Sequence, residues 1–369
     1  MKKILKKCGI VSLCIIGVGI LFLVIGLISG GRIGFTIDIH GQKVITKDTK
    51  AESYVEKTVD LDAFSQLEVN VNAADVEIKR GESYQVQYYM LSSEVPTIEV
   101  KDNKLTVNSK DMDSTHSIVN FQFYDFEFLS SDSRREAIVI TIPKDIELSE
   151  ANVKVELGNI TLTDLTIHTA YASSAYGNVK VFNFISDEVN FSSESGDIEL
   201  TNVEMKQSQV VTEYGKLTVK ECSGENGTFV LESGDCRMEA LELQQLQVTN
   251  QYGEIELKKS ILDSCKADCE NGDIIVDECT VKKAELYAEY GNILIEKSII
   301  DQIQSDCESG DTKVDLQGEL SEYNLDLITE SGEIKINGQE NGENYKNITN
   351  KEKSIVVKNE YGNIDILIE

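Results

Sequence analysis

Tryptophan is absent from this 369-residue chain, proline occurs twice and histidine three times. His40, His116 and His168 are far apart in sequence and lack metal-ligand spacing. Neither a G-x-S-x-G elbow nor a P-loop is present, so no catalytic, cofactor-binding or metal-binding residue can be named. Basic residues are also scarce, with 35 Lys and Arg against 64 Asp and Glu and a formal charge of −29. Four of the lysines lie in the first 31 residues, which hold no acid, leaving 31 bases against 64 acids, or −33, in the remainder. Such a body repels polyanions, which excludes nucleic acid as a partner. Arg237 is the only arginine beyond Arg135, so the basic cleft of a polysaccharide-acting β-helix enzyme would have to rely on lysine. Disorder is excluded in turn, because 41% apolar and 27% charged residues are proportions of a folded protein.

Charge is missing altogether from the apolar run 8–31, which follows Lys2, Lys3, Lys6 and Lys7. At about 1.5 Å per residue this run crosses a hydrocarbon core of roughly 30 Å, whereas the apolar part of a cleavable signal is usually about 7–15 residues. The lysines place the amino terminus in the cytoplasm and everything after Arg32 outside. Cleavage after Ser29 or Gly30 is the alternative, and Ser12-Leu13-Cys14 lacks the small residue that a lipoprotein signal sets before its cysteine. The expected layout is a cytoplasmic tail (1–7), a transmembrane helix (8–31), a linker (32–66), an irregular β leader or cap (67–150) and a regular β-solenoid (151–369).

What is abundant is a repeat. Gly158, Gly177, Gly196, Gly215, Gly234, Gly253, Gly272, Gly291 and Gly310 follow one another at intervals of nineteen residues, and insertions of three and eleven residues displace two further copies to Gly332 and Gly362. The second insertion is a polar stretch, 338–353, of the kind that maps to a loop. Two and four residues past the glycine the side chain is nearly always apolar, as in Val179 and Val181 or Ile274 and Val276. Period-two alternation with many β-branched residues predicts short strands with one buried face. A nineteen-residue unit cannot bury that face alone, so units must stack about 4.8 Å apart as rungs of an all-β parallel solenoid, with glycine at a corner. Val69 to Ile78 matches Val153 to Leu162 with Ala74 in the glycine's place, so the coil begins near Leu67.

The residue before the glycine alternates: Tyr176, Ser195, Tyr214, Ser233, Tyr252, Asn271, Tyr290, Ser309. Packing at the corner is the first reading of the tyrosines, and an aromatic strip for a sugar or a partner is the second. Glu194, Glu213, Glu232, Glu270, Glu289, Glu308, Glu330 and Glu360 stand two before the glycine, and Asp197, Asp235, Asp273 and Asp311 one after it. A solvated acidic edge outranks a calcium site, because the nine-residue repeat of calcium-binding β-rolls is absent. Cys222, Cys236, Cys265, Cys269, Cys279 and Cys307 occupy places that other rungs fill mostly with apolar or small residues, so they read as buried free thiols. Cys269 and Cys307 sit two rungs apart, beyond disulfide reach, while bridges from Cys222 to Cys236 and from Cys265 to Cys279 stay open. Phe121 to Phe128 alternates almost throughout and reads as a half-buried strand of the cap, or, if exposed, as a partner site.

The lysine-flanked apolar segment, the leader ending Ile140-Thr141-Ile142-Pro143 and the many G-[DN]-[IV]-x-[LIV] units together resemble a bacterial putative-adhesin family of membrane-anchored β-strand-repeat proteins, a domain of unknown function. The resemblance covers roughly residues 60–369 and implies a surface-exposed solenoid of the bacterial envelope, sometimes linked to envelope-stress systems. The Tyr/Ser alternation and the many cysteines depart from the family's regularity and leave the ligand open. The function expected is that of a non-enzymatic, extracytoplasmic, single-pass binding or scaffold protein of the cell membrane with an envelope protein or glycan partner and no cofactor. A self-assembling structural solenoid is the alternative, since the chain stops at Ile364 to Glu369 with no evident cap over the strand edges. A polysaccharide-acting enzyme comes last.

Overall fold

The computed structural model describes residues 53–109 and 135–369 in full and, elsewhere, only the backbone of the strands Gly34–Asp38, Lys43–Ile45 and Ile118–Gln122. The expected membrane segment, 8–31, lies outside the described residues. Among the described residues no helix is long and apolar enough to cross a membrane. Two units are present, one made of Met1–Ser53 with Asp111–Arg134 and the other of Tyr54–Lys110 with Arg135–Glu369. In the first, Gly34–Asp38 pairs antiparallel with both Lys43–Ile45 and Ile118–Gln122, so the stretch read as a linker carries strands.

The second unit is a parallel β-solenoid. Its repeat fixes the pairing, because each inward residue meets the one nineteen positions on: Ile160, Val179, Ile198, Leu217, Cys236, Ile255, Ile274, Ile293 and Thr312 form one continuous column. All nine side chains are buried. Inward and outward residues alternate along each strand, as in Ile274 and Val276 against Ile275 and Asp277, so the core is a spine with no helical layer over it.

Two corners of each rung are marked by special backbone geometry, and the sequence pattern discloses one of them. At the first, a Cβ built on the glycine would approach the carbonyl oxygen of the preceding rung's glycine to well under 3.0 Å at every copy from Gly177 to Gly310. At Gly234, Gly253 and Gly272 the backbone also has φ of 133°, 136° and 151°, which only glycine adopts at ease. The second corner lies six residues on, where Asp164, Asn183, Asn202, Glu221, Ala240, Lys259, Glu278 and Lys297 are left-handed with φ of 46° to 57°. Asp and Asn tolerate that geometry best. Asn183 donates to Asp164 Oδ1 (2.8 Å) and Asn202 to Asn183 Oδ1 (2.7 Å), a short ladder that later rungs do not continue.

The start of the coil falls where Ala74 replaces glycine. Gln66–Ala73 and Asp75–Gly81 pair in parallel with Leu148–Leu157 and Ile160–Tyr176 at the aligned register, Val69 against Val153 and Val76 against Ile160. Beyond this rung one further parallel strand is added on each side, and the pairing then turns antiparallel. Lys104–Asn108 lies beside Gln66–Ala73 and carries Thr97–Lys101 antiparallel, while Ala137–Pro143 lies beside Asp75–Gly81 and carries Gln85–Leu91 and then Tyr54–Asp60. Arg80 ties this end together by donating to the carbonyls of Asp164 (2.7 Å), Pro143 (2.9 Å) and Ile146.

The other end departs from sequential stacking. Lys353–Tyr361 lies between the strands Ile293–Ser309 and Tyr323–Ser331, parallel to both, and Ile364–Ile368 lies between Thr312–Leu316 and Ile334–Ile336. The Gly362 rung is thus inserted between the Gly310 and Gly332 rungs. Ile364 to Ile368, expected to leave a bare edge, has neighbours on both sides. The outer Gly332 rung is covered by Gln339–Glu340 and Asn344–Asn347, both antiparallel, so part of the polar insertion read as a loop is the covering hairpin. Short polar antiparallel strands of this kind blunt an edge against further pairing, which removes the premise of end-to-end assembly at this end.

Two outcomes follow from this geometry. Gly272→Ala lowers the stability read from urea denaturation by about 3 kcal/mol through the backbone clash, while Ala240→Gly, at a left-handed corner, raises it by about 0.5–1 kcal/mol. Under oxidation, Asn359→Cys crosslinks to Cys307, its partner in register, whereas Thr329→Cys, two rungs away, does not; peptide mass mapping separates inserted from sequential stacking.

Candidate interaction surface

The polar residues of the repeat divide into those that hold rungs together and those that face outward. The Asn or Asp after the glycine belongs to the first group. Its Oδ1 accepts the backbone N–H of the equivalent residue one rung on: Asn159 from Asn178 (2.9 Å), Asn178 from Asp197 (2.8 Å), Asp197 from Lys216 (2.8 Å), Asp273 from Asn292 (2.7 Å) and Asn292 from Asp311 (3.0 Å). At the carboxy-terminal end Asp311 Oδ1 accepts from Asn363 (2.7 Å), the residue of the inserted rung. Asp197, Asp273 and Asp311, considered as calcium ligands, are therefore acceptors in a backbone ladder. Among the described residues no three His, Cys, Asp or Glu side chains gather in a way that could hold a metal ion.

Four of the six cysteines also serve the corners. Three residues before the glycine most rungs carry a buried side chain that donates to the preceding glycine's carbonyl, as Ser174 does to Gly158 (2.9 Å), Ser193 to Gly177 (3.0 Å), Asn250 to Gly234 (2.9 Å), Cys269 to Gly253 (3.3 Å) and Cys307 to Gly291 (3.3 Å), while Leu231 and Ala288 fill the same place as plain core. At the second corner Cys222 and Cys279 donate to Lys220 and Asp277 (both 3.2 Å), as Ser260 and Ser298 do to Lys258 (2.8 Å) and Glu296 (2.9 Å). Cys236 and Cys265 pack purely as core. All six are free thiols, which settles the open disulfide alternatives. Burial pushes Cys222, Cys269, Cys279 and Cys307 up to about 11 and Cys265 to about 12, so none is a reactive thiolate at neutral pH.

The remaining candidates are structural as well. His168 is exposed and pairs with Asp187 (2.8 Å), which also binds Lys206 (2.6 Å) and is held below the usual carboxylate range by these two partners. His40 and His116 lie outside the described residues. So does the stretch Phe121 to Phe128, apart from the backbone of Phe121 and Gln122 in the strand Ile118–Gln122. Arg237 bridges Asp235 (3.7 Å) and Glu256 (3.6 Å). A shallow depression of about 450 Å³ beside Arg80 and Lys144 is lined by Phe184, Ile185, Asn202 and Glu204, but the Arg80 guanidinium is already committed to backbone carbonyls.

The outward group is different. Tyr176, Tyr214, Tyr252, Tyr290 and Tyr361 are 56 to 63% exposed, which corrects the expectation that they pack at the corner. The reason is geometric: the two residues before the glycine both point away from the spine as the chain turns, so the vertex side chain has no wall to lie against. These tyrosines share one column with Ser195, Ser233, Asn271 and Ser309 between them. In sequence order the alternation would fail after Ser309, since Ser331 comes next. Insertion of the last rung places Tyr361 between Ser309 and Ser331 and restores it. Beside the tyrosines runs the glutamate row. Among the described residues Glu194, Glu213, Glu232, Glu270, Glu289, Glu330 and Glu360 make no ion pair, and Glu308 accepts from the Tyr287 hydroxyl, which holds the Tyr287 proton more tightly.

The fold and this surface define an all-β parallel solenoid with an exposed aromatic and acidic edge. The chain belongs to the Toastrack DUF4097 family, whose model matches residues 64–260 and 228–367, and the family is a domain of unknown function. No curated protein matches the chain. Among solved structures it is similar to a putative adhesin from Parabacteroides distasonis ATCC 8503 at 12% identity, covering 68% of this chain and 97% of that chain with a TM-score of 0.35. A putative lipid binding protein from the same organism is 15% identical over 69% of this chain and 93% of that chain, TM-score 0.36. A putative cell adhesion protein from Clostridium sporogenes ATCC 15579 is 12% identical over 86% and 100%, TM-score 0.17.

The corner role of the thiols is tested by substitution. Cys269→Ser keeps a donor in a slot where Ser already serves and changes stability by less than about 0.5 kcal/mol, whereas Cys236→Ser buries a hydroxyl without a partner and costs about 1–3 kcal/mol, both read from urea midpoints.

Proposed function

We propose that this protein is a non-enzymatic binding module of the bacterial envelope, anchored by the segment 8–31 and presenting its solenoid outside the cytoplasmic membrane. One observation carries the reading: five tyrosines, each more than half exposed, stand in a single column where the fold gains nothing from them. Alternate rungs fold with serine or asparagine at the same place, so the core does not require an aromatic there. Exposed aromatics in a continuous array with a polar margin are a feature of contact surfaces. The lysine-flanked apolar run supports the anchor and its orientation. The adhesin-like role suggested by the names of structural neighbours agrees with this reading and adds no ligand.

Replacing Tyr176, Tyr214, Tyr252, Tyr290 and Tyr361 together by Ser copies what the intervening rungs already contain and leaves the urea midpoint within about 0.5 kcal/mol per site of the parent. On intact cells, protease added outside degrades the solenoid of both proteins. Chemical crosslinking then recovers envelope material with the parent and loses it with the variant. Equal recovery from both would remove the tyrosine column from the contact surface, and a protease-resistant solenoid on intact cells would overturn the extracytoplasmic placement.

A further inference from the structure

Resting on that reading of the tyrosine edge, we propose the class of partner it fits: a lysine- or arginine-bearing, proline-rich segment held in the polyproline II conformation. The row is a comb. Each Ser195, Ser233, Asn271 or Ser309 leaves a notch between two exposed tyrosines, and the tyrosines recur every two rungs, about 9.6 Å at the usual strand separation. A polyproline II helix repeats every three residues with a rise of about 3.1 Å each, so the same edge returns after about 9.3 Å. From Tyr176 to Tyr361 the column spans eight rung steps, about 38 Å, and twelve residues of polyproline II span about 37 Å. The two periods stay in step along the whole row.

Other regular peptides fall out of register with it. An extended strand brings side chains back to one face every two residues, about 6.6–6.8 Å, and an α-helix has a pitch of about 5.4 Å. Strand addition is closed along this edge as well, because the rungs' backbone groups are already paired with the rungs before and after them. A polyproline helix needs no backbone pairing and loses little conformational entropy on docking, which suits a comb of fixed aromatic teeth.

The sign of the partner's charge follows from the flank. Seven glutamates of the neighbouring row have no ion-pair partner among the described residues; they fall in runs about one rung apart, Glu194 to Glu232 and Glu270 to Glu289, then Glu360 and Glu330, with Gln251 between the first two runs and Glu308 before the last, and within each run like charges repel. One Lys or Arg per three-residue turn would set a cation against this row and over the tyrosine faces, combining charge neutralisation with cation–π attraction. A neutral glycan could stack on the same rings but would leave the glutamates uncompensated.

The test uses the full chain in detergent micelles and fifteen-residue peptides. Because the protein has no tryptophan, its emission comes from its fourteen tyrosines, five of them in the column, and the part of the peptide-induced change that is lost in the tyrosine variant reports occupancy of the column. The expected result is saturable binding of (Pro-Pro-Lys)5, weakened about tenfold or more by Tyr214→Ser with Tyr252→Ser. Binding of (Gly-Ser-Lys)5, equal in charge but flexible, is about tenfold weaker, and (Pro-Pro-Glu)5 does not bind. Equal affinity for the two lysine peptides reduces the effect to charge alone and overturns the proposal, as does indifference to the tyrosine substitutions. Saturable binding of N-acetylglucosamine oligomers, which are neutral, with no peptide binding assigns the comb to a sugar and overturns it too. If the peptides fail while the five-tyrosine variant still loses its crosslinked envelope material, the partner class falls and the contact surface stands.

Discussion

Where successive rungs turn, the backbone of each glycine lies against the carbonyl of the glycine before it, closer than any side chain would permit. That approach keeps the rungs at strand separation at their tightest point, so the ladders on both sides of the corner remain paired. It also makes nineteen residues the indivisible unit of the coil. An insertion is tolerated only where it leaves the glycine column intact, and both insertions of this chain do so: Gly362 still meets the carbonyl of Gly310 and Gly332 that of Gly362, while part of the second insertion folds back as strands over the outer rung.

Around that corner the polar side chains perform local tasks that the repeat imposes. A backbone turning sharply in the interior exposes carbonyls and amides that must find partners. The Asn and Asp after the glycine supply acceptors to the next rung, and a buried Ser, Thr, Asn or Cys supplies a donor to the previous one. Hydroxyl, carboxamide and thiol interchange in one slot as donors, and Leu231 and Ala288 fill it in other rungs, so the slot accepts either a donor or a plain apolar side chain. The donor role explains why an extracytoplasmic reading and free cysteines coexist: the thiols are engaged and shielded, with their ionisation suppressed by burial.

The carboxy-terminal rung joins architecture to surface. By entering between its two predecessors it closes the stack beneath an antiparallel hairpin and, in the same move, extends the regular tyrosine column by one more member. A single pairing choice therefore serves both the protection of an edge and the continuity of the exposed array. The function proposed for the array depends on this, because a broken alternation would shorten the row to the four tyrosines from Tyr176 to Tyr290.

The rung length, the parallel register, the first corner and the inward column were legible in the sequence, since a glycine spaced by nineteen residues and flanked by alternating apolar residues admits one stacking. Ala74 could be aligned with Gly158 for the same reason. The second corner was not, because left-handed backbone is signalled by Asn or Asp only at Asp164, Asn183 and Asn202, and Glu221 or Lys259 carry no such mark. The direction of the tyrosines was hidden too, as two consecutive outward residues break the alternation from which facing is read. The order of the last rungs could be decided only in three dimensions: once insertions loosen the spacing, any rung with the right apolar pattern can pair with any other, and the choice falls to whichever arrangement buries the final strands on both edges.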